Sequence, residues 1–281
     1  MEVFLAEHMG FCFGVRRAQE MIEAAAGEHG SVSTLGPLVH NRQVTDRLTQ
    51  SGVKVARSLD DVTEPVVAVS AHGTPPNTVR EAERRGLRLI DGTCPFVGKA
   101  QEAARDLVNA GFAVVIFGDP NHTEVKGILG WCDGKAIVVP DPDSLPARRP
   151  GSKVGVVSQT TQNAANLQAL VAAIVTRWLP ELAELRVVNT ICYASVHRQE
   201  AAEALARRVG VMVVIGGADS ANTARLREVC ARTGTPTFQV EDSDDLRAEW
   251  FVGHQTAGVT AGASTPDWVI ARVTARIREF S

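Results

Sequence analysis

One sequence pattern occurs three times and constrains the fold more than any other feature of the chain. A cysteine is followed seven residues later by Gln-Glu, then by Ala-rich sequence with helical periodicity and a glycine close behind. The three copies are centred on Cys12, Cys94 and Cys192. Apolar runs precede the last two cysteines, and the run before the first is weaker, so the pattern predicts a strand, a short turn with the cysteine, and a helix.

The repeat continues beyond these helices. A polar residue stands 28 residues after each cysteine and opens another helical segment: His40, His122 and Ser220. A third strand and polar turn close each unit at His72, Thr160 and Ser264, at spacings of 32, 38 and 44 residues from the preceding turn. Only the loops differ in length, so we predict an α/β protein made of three equivalent units.

The simplest architecture is a trefoil of three small α/β units with parallel sheets around a pseudo-threefold axis. Polar residues at the carboxyl ends of parallel strands line ligand-binding crevices, so the turns are expected to converge on one central site. The predicted units are residues 14–94 with His40 and His72, residues 95–191 with His122, Glu124 and Thr160, and residues 192–281 with Ser220, Asn222 and Ser264, with residues 1–13 packing nearby.

Composition excludes several functional classes. The net charge is −3 and aromatic residues make up 5% of the chain, which argues against a nucleic-acid partner. The apolar stretches are too short to span a membrane, and the N-terminal sequence lacks the features of a secretory signal, so we expect a cytoplasmic protein. Five cysteines are too few and too scattered for a disulfide framework, which favours metal or thiol chemistry.

The three repeat cysteines are candidate metal ligands. Each precedes a helix, where the helix dipole favours the thiolate. Without close Cys-x-x-Cys pairs they do not resemble a structural zinc site, and a 4Fe-4S cluster held by three cysteines would keep one iron open to substrate. The alternative is that they are buried thiols acting as small hydrophobic residues, which is our expectation for Cys132 and Cys230.

The polar turns are candidate anion sites. Their side chains and the backbone N–H groups of the following helices suit a phosphate or diphosphate. N-capping is the alternative role, and it is compatible with ligand binding, for Ser220, Asn222, Thr160 and Ser264. Glu124, two residues after His122, is a candidate proton donor. It is equally typical of an ordinary glutamate in the first turn of a helix.

Several motifs together resemble those of the 4-hydroxy-3-methylbut-2-enyl diphosphate reductase (LytB) family. They are GFCFGVRRA, LGPLVHN, AHG, DGTCPFV, GDPNHTEVKG, SQTT, TICYAS, SANT and TAGAS, in the family's order between Cys12 and Trp268. The resemblance implies a trefoil fold around a central 4Fe-4S cluster. It also implies reductive loss of the substrate's hydroxyl to give isopentenyl and dimethylallyl diphosphate, the last step of the methylerythritol phosphate pathway.

The resemblance also assigns residues. Cys12, Cys94 and Cys192 match the cluster ligands, and Glu124, His122 and Thr160 match the catalytic residues near the hydroxyl. The residues that match the substrate-binding set are His40, His72, His122, Thr160, Ser195, Ser220, Asn222 and Ser264. Ser195 stands where threonine is usual, Ala221 where a second serine is frequent, and Thr123 where proline is frequent. A ferredoxin or flavodoxin is the implied electron donor, since the chain shows no flavin or nicotinamide motif.

Two other functions stay open at this level. A cluster-assisted dehydratase of the quinolinate-synthase kind shares a threefold α/β plan with three cysteines, but it would act on carboxylates. A non-catalytic iron-sulfur sensor or scaffold would use the polar turns for folding alone and would have no need of Glu124.

Overall fold

Strands and helices alternate along residues 1–280, the part of the chain that this computed structural model describes. The strands are β1 (Glu2–Leu5), β2 (Val32–Leu35), β3 (Val53–Ala56), β4 (Val66–Val69), β5 (Arg88–Asp91), β6 (Ala113–Phe117), β7 (Ala136–Val139), β8 (Lys153–Ser158), β9 (Glu184–Val187), β10 (Val211–Ile215), β11 (Thr237–Val240) and β12 (Thr256–Ala261). The α-helices are α1 (Phe13–His29), α2 (Arg42–Gln50), α3 (Pro76–Arg84), α4 (Pro95–Asn109), α5 (Thr123–Gly130), α6 (Ala164–Trp178), α7 (Tyr193–Ala206), α8 (Ala221–Ala231) and α9 (Asp267–Glu279).

The strands form three four-stranded sheets with one shared topology. Their orders are β3-β2-β4-β5, β7-β6-β8-β9 and β11-β10-β12-β1, and each pairing is parallel. The strand that precedes each repeat cysteine is an edge strand of its sheet: β1, β5 or β9. The predicted α/β class with three parallel sheets is therefore confirmed. The weak first copy of the repeat also forms a full strand, β1.

Contact density divides the chain into two compact units. The first comprises Met1–Arg16, Val39–Arg47 and Tyr193–Ser281, and it contains the sheet β11-β10-β12-β1. The second comprises Arg17–Leu38 and Leu48–Cys192, and it contains the other two sheets. The division into three domains at residues 94 and 191 remains a prediction.

In the first unit, the sheet is covered on both faces. Alternate residues of β10 point in opposite directions. Val211, Val213 and Ile215 pack with residues of α9, whereas Met212 and Val214 pack with residues of α7 and α8. All five side chains are fully buried, which explains why this strand is a continuous apolar run.

In the second unit, the sheet that contains β6 has the same layering. Val114 and Ile116 pack with residues of α4 and α5, whereas Val115 and Phe117 pack with residues of α6. In the other sheet, β4 is buried along its whole length. Because helices cover both faces of such a sheet, polar side chains are found mainly in the turns at the ends of the strands.

Within residues 1–280, no helix is both long enough and apolar enough to cross a bilayer.

Candidate active site

Each repeat cysteine is held at the carboxyl end of a sheet by a backbone hydrogen bond. The amide of Cys12 donates to the carbonyl of Ala263 (3.2 Å), that of Cys94 to Ala71 (3.0 Å), and that of Cys192 to Thr160 (2.9 Å). Each acceptor lies in the turn after the strand that pairs with the cysteine's own edge strand. The sequence repeat therefore corresponds to a repeated geometry, with each cysteine beside a polar turn.

The three cysteines also share a chemical setting that the other two lack. Helices α1, α4 and α7 begin at the residue after each repeat cysteine. The repeat cysteines are partly exposed and free of disulfides. In the first unit, the amide of Val15 donates to the Cys12 sulfur at 3.5 Å. These features fit the ligands of a soft metal centre.

Cys132 and Cys230 are buried core residues, as the sequence predicts. Both are fully buried, and their thiols contact the carbonyls of Ile128 and Ala202 respectively. Burial raises the pKa of Cys132 to about 11 and that of Cys230 to about 12. Neither thiol is suited to ionise and bind a metal.

Glu124 lies in the first turn of α5, but its carboxylate has a specific partner in the second unit. One oxygen accepts the amide of Thr160 at 2.5 Å, and the other is 3.0 Å from the Thr160 hydroxyl. The side chain is 2% exposed. Burial raises the pKa of Glu124 to about 7, while the two hydrogen bonds from Thr160 act in the opposite direction. The carboxyl can therefore hold or release a proton near neutral pH.

His122 and His72 lie together in the same unit, with ring centroids 5.4 Å apart in an edge-to-face arrangement. His122 is the N-cap of α5, and its Nδ1 accepts the amide of Glu124 at 3.2 Å. His72 occupies a tight turn that begins at Ser70. The Ser70 hydroxyl is 3.3 Å from His72 Nδ1 and 3.4 Å from the His72 amide.

Two glutamines contact these turns in the second unit: Gln159, which the sequence analysis did not single out, and Gln101, which belongs to the repeat. Gln159, 1% exposed, accepts the amide of Asp119 at 3.1 Å and donates to the Thr161 hydroxyl at 3.0 Å. Its side chain thus connects the turn before His122 with the Thr160 turn. Gln101, the repeat glutamine of the second copy, packs against the backbone of Gly73, where a Cβ would collide with its amide nitrogen.

The first unit carries a second group of predicted residues. Ser220 is the N-cap of α8, and its hydroxyl accepts the amide of Thr223 at 3.3 Å. Asn222 Oδ1 accepts the amide of Ala263 at 2.9 Å. Asn222 Nδ2 and the Ser264 hydroxyl are buried without a hydrogen-bond partner in residues 1–280. Both donors lie in the segments that follow the carboxyl ends of β10 and β12, where an acceptor such as an anion would satisfy them.

His40 belongs to the first unit as well. A Cβ on Gly217 would collide with the His40 carbonyl oxygen, so only glycine allows this close approach. Burial lowers the pKa of His40, and the negative charge of Asp219 opposes that shift. The imidazole is thus biased towards its neutral form.

The structure also locates the positions where the chain departs from the family pattern. Ser195 is 5% exposed on α7. Ala221 and Thr123 are the first residues of α8 and α5. Thr123 is solvent-exposed, so a threonine in place of proline changes no buried contact. It removes only the fixed backbone angle with which a proline would favour the start of the helix.

Comparison with known proteins identifies relatives over the full length of the chain. A family model described as "LytB protein" matches residues 3–278. A protein from Geobacter metallireducens named 4-hydroxy-3-methylbut-2-enyl diphosphate reductase is 46% identical over 280 residues, covering 100% of this chain and 98% of the relative. A protein of the same name from Dehalococcoides mccartyi is 43% identical, covering 100% of this chain and 99% of the relative.

Solved structures give the same result. The structure of an (E)-4-hydroxy-3-methyl-but-2-enyl diphosphate reductase, described as the terminal enzyme of the non-mevalonate pathway, is 40% identical with a TM-score of 0.71. The match covers 99% of this chain and 100% of the chain in the solved structure. The structure of the Plasmodium falciparum E-1-hydroxy-2-methyl-but-2-enyl-4-diphosphate reductase is 24% identical with a TM-score of 0.88. That match covers 99% of this chain and 87% of the chain in the solved structure, and it shows that the two proteins share a fold.

The Thr160→Val variant tests the contact that sets the proton affinity of Glu124. It removes the hydroxyl hydrogen bond but keeps the backbone one, so the charged carboxylate loses one stabilising contact. We expect the pKa of Glu124 to rise above about 7, as followed by the pH dependence of its carboxyl ¹³C resonance. Thr176→Val, at an exposed position of α6 in the same unit, is the control and should leave that pKa unchanged. A pKa that stays the same or falls in Thr160→Val would contradict the assignment.

Proposed function

Because this chain belongs to the LytB protein family, we propose that it is a 4-hydroxy-3-methylbut-2-enyl diphosphate reductase, an oxidoreductase of isoprenoid synthesis. The reaction consumes two electrons and two protons. The allylic C–O bond breaks, the hydroxyl leaves with one proton as water, and a C–H bond forms with the other. Isopentenyl and dimethylallyl diphosphate are the two products. The names of the relatives favour neither a quinolinate-synthase-like dehydratase nor a non-catalytic sensor.

One observation carries the proposal most directly, namely that Thr160 connects an acid to a candidate cluster ligand. Its amide and hydroxyl contact the carboxylate of Glu124, and its carbonyl accepts the amide of Cys192. A carboxyl with a pKa of about 7 therefore lies one residue away from a candidate metal ligand. Reductive removal of a hydroxyl needs both a metal centre and a proton supply, and this arrangement provides for both.

The residues present fit a 4Fe-4S cluster with Cys12, Cys94 and Cys192 as its ligands. All three lie at helix starts outside any disulfide and share the same backbone contact, whereas the two remaining cysteines are buried with raised pKa values. When bound, the cluster would supply electrons and a Lewis-acidic iron for the substrate's hydroxyl. Three protein ligands would leave that iron open to substrate.

The anionic end of the substrate needs hydrogen-bond donors, and the polar turns provide them. The Ser264 hydroxyl and Asn222 Nδ2 are buried donors without a hydrogen-bond partner in residues 1–280. Ser220 uses its oxygen to accept the amide of Thr223, so its hydroxyl hydrogen is available for an anion. We assign diphosphate binding to these three residues together with His40 and His72.

Glu124 is the proposed proton donor at the hydroxyl end. Its carboxyl is about half protonated near neutral pH, and Thr160 fixes its orientation. His122 shares the same turn through the amide of Glu124. We place the hydroxyl of the substrate near these three residues, with Ser195 also on the substrate.

We also propose that the three sheets belong to three α/β units arranged as a trefoil. The units comprise residues 14–94, 95–191 and 192–281, with residues 1–13 beside the last. A ferredoxin or flavodoxin would deliver the electrons. A cytoplasmic location fits an enzyme that depends on three reduced thiols.

The Glu124→Gln variant tests the proton-donor role. The amide keeps the size and most contacts of the side chain but cannot release a proton, so we expect kcat to fall roughly 10²–10⁴-fold. The assay is anaerobic consumption of 4-hydroxy-3-methylbut-2-enyl diphosphate with reduced viologen, at equal iron content. Glu102→Gln on the exposed face of α4 is the control and should retain activity. Full turnover in Glu124→Gln would refute this role, and no turnover by the iron-loaded wild type would refute the proposed function.

Ser264→Ala tests the anion site in the first unit. A hydrogen bond to a charged group contributes about 1.5–3 kcal/mol, so the Kd for inorganic diphosphate should rise by about tenfold or more. Isothermal titration calorimetry measures that constant. Thr274→Ala is a matched control, because Thr274 is another buried hydroxyl without a partner in residues 1–280, but it lies on α9. Equal losses in both variants would contradict a specific role for Ser264.

A further inference from the structure

The residue six positions after each repeat cysteine breaks the symmetry of the repeat. It is alanine in the first two copies, Ala18 and Ala100, and both side chains are fully buried. In the third copy it is Arg198, which is 8% exposed. A guanidinium is always charged, and its burial is unfavourable unless its N–H groups are hydrogen-bonded. The third copy therefore keeps a buried cation where the other two have a small apolar side chain.

The guanidinium of Arg198 contacts two backbone carbonyls of the first unit. Nε and Nη2 donate to the carbonyl of Gly10 at 3.2 and 2.9 Å, and Nη1 donates to the carbonyl of Ala194 at 2.9 Å. Ala194 lies in the first turn of α7, the helix of Arg198 itself, so this bond orients the guanidinium. Gly10 is 188 residues away in the sequence, between β1 and α1. The planar guanidinium thus attaches the β1–α1 turn to α7.

The turn that Arg198 contacts carries Cys12. The amide of Gly10 donates to the carbonyl of Ala261 at 3.2 Å, and the amide of Cys12 donates to that of Ala263 at 3.2 Å. These two bonds attach the turn to the carboxyl end of β12. Arg198 adds an attachment to α7, so the backbone before Cys12 is held by two different elements of the first unit.

We propose that Arg198 is a positioning residue for the candidate cluster ligand Cys12, because it fixes the turn that carries this cysteine on α7. The rings of His8 and His197, with centroids 5.5 Å apart, form a second contact between the same turn and the same helix. This inference rests on the proposed function. Residues that orient a metal ligand without binding the metal commonly change metal affinity about 10–100-fold when they are replaced.

The proposal concerns geometry and not charge alone. Lysine has the same charge as arginine, but its single nitrogen cannot serve the carbonyls of Gly10 and Ala194 with a rigid pair of donors. Methionine has an unbranched apolar side chain that can fill the same space and has no donor. Arg198→Lys and Arg198→Met therefore separate the effect of the charge from that of the hydrogen bonds.

Hydrogen–deuterium exchange of the full-length protein, isolated anaerobically, tests the contact at the turn. Mass spectrometry of the peptide that spans residues 7–13 reports on the amides of Gly10 and Cys12. In Arg198→Met we expect this peptide to exchange about tenfold faster, because the turn loses its hydrogen bonds to α7. Arg198→Lys should recover only part of the protection.

Two controls distinguish a local effect from a general loss of stability. Arg207→Met removes another arginine of the first unit, whose guanidinium pairs with Glu203 on the surface, and it should leave the exchange of residues 7–13 unchanged. Within Arg198→Met, the peptides that span residues 92–96 and 211–215 should exchange as in the wild type. Faster exchange in all three peptides would show a general destabilisation and would overturn the specific role of Arg198.

The consequence for the cluster site is measured by iron retention. At equal initial iron content, we expect Arg198→Met to release iron to excess EDTA about tenfold faster or more, compared with the wild type and Arg207→Met. Wild-type exchange or wild-type iron release in Arg198→Met, or full protection in Arg198→Lys, would overturn the inference. Failure of the proposed function would look different, since the wild type would then hold no iron although residues 7–13 still exchanged faster in Arg198→Met.

Discussion

The hydrogen bond from each repeat cysteine to the carbonyl of a neighbouring turn is the contact on which the site depends. It recurs in all three sheets, between Cys12 and Ala263, Cys94 and Ala71, and Cys192 and Thr160. Because the strands are parallel, their carboxyl ends lie at one edge of each sheet, and this bond fixes the thiol beside the polar turn of that edge. A central strand buried on both faces holds the turn in place.

The same edge also holds the proposed proton donor, Glu124. Thr160 uses its carbonyl for Cys192 and its amide and hydroxyl for Glu124, so one short turn orients both a thiol and a carboxyl. Burial raises the pKa of Glu124, and the two hydrogen bonds from Thr160 partly offset that rise. His122 belongs to this arrangement because its Nδ1 caps the helix that carries Glu124. A carboxyl with a pKa of about 7 suits a substrate with a leaving hydroxyl.

The spacing of cysteines and polar turns predicted the α/β class and the three parallel sheets, because these follow from local periodicity repeated in equivalent units. The absence of Cys132 and Cys230 from the repeat predicted that they are buried core residues. The partners within the site could not be predicted in this way. Glu124 and Thr160 are 36 residues apart, and Asn222 and Ala263 are 41 apart, so their contacts depend on how strands and turns pack.

The central claim is that the three repeat cysteines, and not the other two, bind an iron-sulfur cluster. The most direct measurement is the iron and acid-labile sulfide content of the anaerobically purified protein and of its single cysteine variants. We expect about four irons per chain in the wild type, as a 4Fe-4S cluster requires, with a large loss in Cys12→Ser, Cys94→Ser and Cys192→Ser. Cys132→Ala and Cys230→Ala should retain the wild-type content. A wild type that contains no iron, or any of the three repeat variants with its iron undiminished, would contradict the account.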